Sequence, residues 1–124
     1  MAVTLTTAAR NAACNAIVDL LDAGAGAATL IFVTSDGSTE VATLTFSDPA
    51  FGDSAVGVAT ASAITSDTSA TGGTSTIALM KDSNATEVLR CTVGTSGADI
   101  NLSNNVIAAT ETVAVTALTV TVPA

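Results

Sequence analysis

Apolar residues recur with a helical period over the first part of this chain and with a period of two over most of the rest. Ala9, Ala13, Ile17 and Leu20 fall at i, i+4, i+8 and i+11, one stripe of a 3.6-residue repeat. Cys14, Val18 and Leu21 widen that stripe. Thr6 or Thr7 is an accepted N-cap, alanine fills the interior, and Gly24 or Gly26 can end the element. The pattern predicts a helix over residues 6–22. Its charges oppose the macrodipole, with Arg10 near the positive end and Asp19 and Asp22 near the negative one. Packing of the stripe onto a sheet therefore has to hold it.

From Thr29 the side chains alternate. Residues 29–34 and 40–46 flank Ser35-Asp36-Gly37-Ser38, and an Asp-Gly pair between apolar runs signals a hairpin. On the second run Ala42, Leu44 and Phe46 share a face. Ser47-Asp48-Pro49-Ala50-Phe51-Gly52 breaks the ladder, with the Phe51 ring expected to turn inward. Residues 55–65 alternate strictly, with Val56, Val58, Thr60, Ser62 and Ile64 on one face. The other face, Gly57, Ala59, Ala61 and Ala63, is small enough to admit another backbone, such as the helix. Residues 65–73 read as the most flexible loop. A second hairpin joins 74–81 to 86–93 around Asp82-Ser83-Asn84-Ala85.

Gly94-Thr95-Ser96-Gly97 leads to a short strand at 98–102, Ser103-Asn104-Asn105 turns the chain, and 110–122 closes it. In that last run the apolar phase slips between Val115 and Leu118. Either a bulge near Thr116 and Ala117 or a strand buried on both faces reconciles the halves. One helix and about seven short strands predict a mainly β chain. The expected architecture is a single β-sandwich or jelly-roll-like domain over 1–124, with its helix at 6–22 and its β-domain at 29–122.

Charge narrows the functions open to such a domain. The 124 residues carry a net charge of −8, and Arg10, Lys81 and Arg90 stand far apart in sequence. Clustered cations for nucleic acid or an anionic membrane are missing. Charged residues make up 11% of the chain, against about 25% in an ordinary soluble domain. Such a surface is either a neutral, hydroxyl-covered one or one covered by neighbours in an assembly, and the second is the expectation, since sparsely charged strand edges associate.

The means of catalysis are equally sparse. Histidine, tryptophan and tyrosine are absent, and with histidine goes the usual proton shuttle near neutral pH. The acids are scattered through turns. Asp82-Ser83-Asn84 and Asp99-Ile100-Asn101 lack the twelve-residue register of a calcium loop, and Gly72-Gly73 is not followed by the Lys-Ser/Thr of a phosphate cradle. The expectation is no enzyme, no cofactor, no metal and no small-molecule substrate. Cys14 and Cys91 are too far apart in sequence for a cysteine cage or a redox pair; two buried free thiols and a Cys14–Cys91 bridge both remain open. The start, Met1-Ala2-Val3-Thr4-Leu5, has no basic region of a secretory signal, and the apolar run at 23–33 is too short to span a bilayer. Synthesis in the cytoplasm is expected, and the sequons at Asn84 and Asn101 then read as accidental.

Several stretches resemble a family of small virion proteins of tailed phages. Thr6-Thr7-Ala8-Ala9-Arg10-Asn11-Ala12-Ala13, leading to Val18-Asp19-Leu20-Leu21-Asp22-Ala23-Gly24, is similar to that family's opening helix. Leu44-Thr45-Phe46-Ser47-Asp48-Pro49-Ala50-Phe51-Gly52 resembles its central turn. Gly94-Thr95-Ser96-Gly97-Ala98-Asp99-Ile100-Asn101-Leu102 and the closing Val-Thr-Ala-Leu-Thr-Val-Thr-Val-Pro-Ala fit as well. The likeness runs almost end to end, though the chain is shorter between Gly24 and Ser38 than the family's pattern. It implies a head decoration or cement protein, made in a bacterial host and held on the outer capsid surface of the virion. Its implied partners are an HK97-type major capsid protein and its own copies, as a homo-trimer on threefold positions. The alternative is a β-sandwich binding module of a phage tail, fibre or adhesin. Two loops of small polar residues are the expected partner contacts: Thr65, Ser66, Asp67, Thr68, Ser69 and Thr71, and Gly94, Thr95, Ser96 and Gly97.

Overall fold

The computed structural model describes residues 3–123. Thr6 caps helix α1 (Thr7–Asp19), its hydroxyl accepting the Ala9 N–H at 3.2 Å, and a 3-10 turn, Leu20–Asp22, completes the element. The buried face is Cys14, Val18 and Leu21, at i, i+4 and i+7. The expected stripe is therefore displaced: Ala9 is exposed, Ala13 and Ile17 are half-buried, and Leu20 is 56% exposed. A polar stripe explains the rotation. Asn11 and Asn15 turn their side-chain oxygens to the N–H groups of Gly57 and Ser54, and Asp22 accepts from Ala50, each at 2.8 Å. The helix thus satisfies the backbone of the 50–57 loop while its apolar stripe enters the core.

The chain is mainly β, as the alternation predicts. Its main sheet has six strands in the order β4-β2-β1-β6-β7-β8. β1 (Thr29–Val33) pairs with β2 (Glu40–Phe46) and with β6 (Ile77–Lys81), and β6 pairs with β7 (Glu87–Gly94), all antiparallel. Both expected hairpins are present. β4 (Ile64–Thr65) closes one side, and β8 (Ile100–Asn101) lies parallel to the end of β7 on the other. A register shift between Phe32 and Val33 leaves Val41 as an extra residue, so Val41 and Ala42 are both buried although consecutive.

Leu30, Phe32, Ala42, Leu44, Phe46, Ala78 and Met80 form the inner face and meet Cys14, Val18 and Leu21 in the core. After the cis Asp48-Pro49 bond, Phe51 folds onto Phe46 with ring centroids 5.6 Å apart, an ordinary tilted aromatic contact. Across from the sheet, β3 (Val58–Thr60) pairs with β10 (Thr119–Thr121) and is flanked on its other side by Ala50, Phe51 and Gly52. A third small pair joins β5 (Gly73–Thr74) to β9 (Val106–Ile107).

Two long expected strands are shorter than the alternation suggests. Within 55–65, Val56 and Gly57 both have positive φ, at 51° and 76°. They turn the chain between Ala55 and Val58, which exchange both backbone bonds at 2.9 Å. Two consecutive positive φ values make the primed turn of a tight hairpin, so the run begins its strand only at β3; past Ala61 and Ser62, whose N–H groups go to Leu118 O and Ala50 O, it crosses to the main sheet as β4. The small face does admit the helix, since a Cβ on Gly57 would lie 2.7 Å from Val122 O and 3.1 Å from Arg10 Cβ. The closing run 110–122 forms a strand only in β10. Before it, among the described residues, Val113 alone forms a strand-like bridge, with Asp67.

Candidate functional site

The two expected contact loops differ in character. Residues 65–71 are pinned, contrary to the expectation of a flexible segment. Thr65 belongs to β4, and Asp67 exchanges backbone bonds of 3.0 and 2.7 Å with Val113. The Asp67 carboxylate accepts the N–H groups of Thr43 and Ser69, both at 2.9 Å. Ala70 is buried, and the Thr71 hydroxyl donates to Glu40 at 2.6 Å. Thr68 and Ser69 remain exposed at the tip and Ser66 is half-buried.

The second loop is held at its base and free at its tip. Thr92 N–H and hydroxyl donate to the Asp99 carboxylate at 3.0 and 3.2 Å, and Leu102 N–H reaches Gly94 O at 2.8 Å. Thr95, Ser96 and Gly97 project between these ties and are exposed, while Gly94 is half-buried. No hydrogen bond joins one loop to the other among the described residues.

A groove lies between the segments to which these loops are tied. Its volume is about 360 Å³, and its walls are residues 99–104 with Ile107 on one side and residues 111–119 on the other. Val113, the partner of Asp67, and Asp99, the base of the second loop, both line it. Asn101, Ser103, Asn104, Thr112 and Thr116 give it amide and hydroxyl groups. A second hollow of about 390 Å³ continues past Ile100 and Leu118 to Met80, Leu89, Cys91 and β10. The sequence reading missed this feature; its trace is the phase slip before Leu118, where the chain leaves the ladder and opens the groove.

Other acids serve turns or pair with a cation. Asp36 accepts from Thr34, Ser38 and Thr39, and the bonds from Thr39 foremost hold its carboxyl well below the usual carboxylate range. Asp82 accepts the Asn84 and Thr86 N–H groups at 2.9 Å. Glu87 and Arg90 form a two-bond ion pair at 3.1 and 3.0 Å, which lowers the glutamate pKa and raises that of the arginine. The Arg90 guanidinium also stands where a Cβ on Gly37 would be, 2.8 Å away, bringing it to the tip of the first hairpin. Among the described residues no three His, Cys, Asp or Glu side chains gather in a way that could hold a metal ion.

Both cysteines are free thiols. Cys14 is buried, its Sγ 3.3 Å from Val120 O. Cys91 is half-buried beside the second hollow; burial, with the Asp99 charge adding to it, pushes its thiol pKa up. No helix among the described residues is long and apolar enough to cross a membrane. Compared with protein-family models, curated proteins and solved structures, the chain matches none of the three.

Proposed function

We propose that this chain is a structural virion protein that decorates and cements the outside of a tailed-phage head. The observation that carries the reading is the near end-to-end resemblance of its sequence to small phage virion proteins. The resembling stretches coincide with working parts of the fold. One is the α1 helix with its polar stripe, another the Asp48-Pro49 turn that seats Phe51, another the β7–β8 connection, and the last is β10. Surface chemistry supports it too. Exposed tips carry threonine, serine and glycine, and one of the three cations, Arg90, is already paired with Glu87. A net charge of −8 suits the outside of a shell better than its DNA-filled interior.

Binding that engages only the assembled shell stabilises it by mass action. Occupied capsids should therefore melt and release DNA at higher temperature than bare ones, and the gain should fall only weakly with salt, because few charges are available to screen. The comparison is made on capsids prepared with and without the protein, with the surface imaged. Protein found in the tail or inside the shell, or capsids whose melting is indifferent to it, would overturn the proposal. The groove lined by Asn101, Ser103, Asn104, Thr112 and Thr116 favours a second reading, a binding module of a tail, fibre or adhesin, and localisation to the tail would select it.

A further inference from the structure

Backbone pairing leaves two strand edges open on the same hollow. Ala61 N–H donates to Leu118 O at 2.9 Å and Val122 N–H to Gly57 O at 2.8 Å. Alternation in an antiparallel ladder then turns the N–H and C=O groups of Thr119 and Thr121 away from β3. Nothing among the described residues pairs with them. Across the hollow, the Thr92 N–H points outward to the Asp99 side chain. Two residues earlier, alternation in the β6–β7 ladder turns the backbone of Arg90 the same way, and β8 leaves it uncovered by pairing with β7 only at Val93 and Gly94. Leu89, Cys91, Ile100 and Leu118 line the space between these edges.

The same chain carries an uncommitted strand. Residues 3–6 precede α1 outside any helix or strand, and Thr6, the one next to the helix, is extended at φ −67° and ψ 163°. Val3 is 83% exposed and Leu5 38%. Val3-Thr4-Leu5-Thr6 repeats the apolar-polar order of Leu118-Thr119-Val120-Thr121, so as a strand it would place Val3 and Leu5 on one face. No charged side chain lies between Val3 and Ala9, so burying the arm strips no ion of water. Four extended residues span about 13 Å, enough to lie along the whole of β10.

We propose that residues 3–6 of a second copy of this chain add as a strand to the open edge of β10, with Val3 and Leu5 seated in the hollow. Main-chain bonds to Thr119 and Thr121 supply the pairing and the apolar side chains the register, as in other strand additions. Each copy gives an arm and receives one, so the contact is head-to-tail and builds a closed ring or a filament. This stands whether or not the protein decorates a capsid.

Cys91 reports on the hollow, while Cys14 is buried and silent. The intact protein should sediment as an oligomer at hundreds of micromolar and dissociate on dilution, and maleimide should label Cys91 several-fold more slowly in the oligomer. Leu5→Asp changes a side chain at the surface of the single copy, so its dichroism spectrum should match the parent's. It should stay monomeric and label at one rate throughout. Leu5→Cys should cross-link on oxidation to Cys91 of another copy, giving a ladder on a non-reducing gel. A monomeric parent at every concentration, or an oligomer that survives Leu5→Asp, would overturn the proposal. So would Cys91 protection that does not depend on concentration, since the arm would then lie in its own molecule.

Discussion

Asn11 shows how one side chain orients an element. Its Oδ1 accepts the Gly57 N–H at 2.8 Å, and its backbone oxygen accepts the Ser54 hydroxyl at 2.9 Å. Asn11→Ala leaves the N–H of buried Gly57 without an acceptor, which costs roughly 1–3 kcal/mol. Asn11→Asp keeps an acceptor in the same place and should remain close to the parent. Denaturant midpoints of the two variants against the parent check this, and equal losses would show that the amide group matters for some other reason. Nothing in the local sequence sets Asn11 apart from Asn84 or Asn104, which lie at exposed turns. Its role depends on a loop more than forty positions away, so it was not legible, whereas Thr6, Asp36 and Phe51 act on near neighbours and were.

At the scale of elements, the helix face decides a clear contrast. Val18 is 2% exposed and Leu20 56%. Val18→Asp buries an unpaired carboxylate and should lower stability by about 3 kcal/mol or more. Leu20→Asp should stay within about 0.5 kcal/mol of the parent. Thermal melts of the pair check the assignment; the reverse order would place the Leu20 stripe in the core. The helix, the two hairpins and the mainly β class were readable because each rests on local period and turn chemistry, whereas the pairing of β1 with β6 joins distant residues and was not. The helix phase was not, because alanines at 8, 9, 12, 13 and 16 surround the axis and give little sense of direction. The strand expected at 55–65 failed at Val56, a β-branched residue in a left-handed turn, a conformation costing roughly 1–3 kcal/mol that the surroundings must impose. The closing run failed because Thr, Ala and Val serve here in strand and coil alike, and the groove it lines was hidden with it.

For the whole molecule, low charge density makes acidity the main lever. As pH falls toward the sequence pI of about 4.1, the net charge vanishes and repulsion between copies with it. Folding should outlast solubility. A carboxyl whose folded-state pKa is depressed, as at Asp36, contributes stability that is complete above the unfolded value. It is lost only as pH drops through the window below that value. Turbidity should therefore rise near the pI while the dichroism spectrum stays native; unfolding that precedes turbidity would refute this order. The link between Asp67 and Val113 has a consequence in time rather than in place. Among the described residues it is the only paired point between β9 and the residues entering β10, apart from the turn at 108–111 closed on Ala70. Stretches on either side can therefore breathe separately, each returning to a fixed post. Deuterium should enter the amides of 114–117 without waiting for the sheet to open, while those of Asp67 and Val113 exchange together and late.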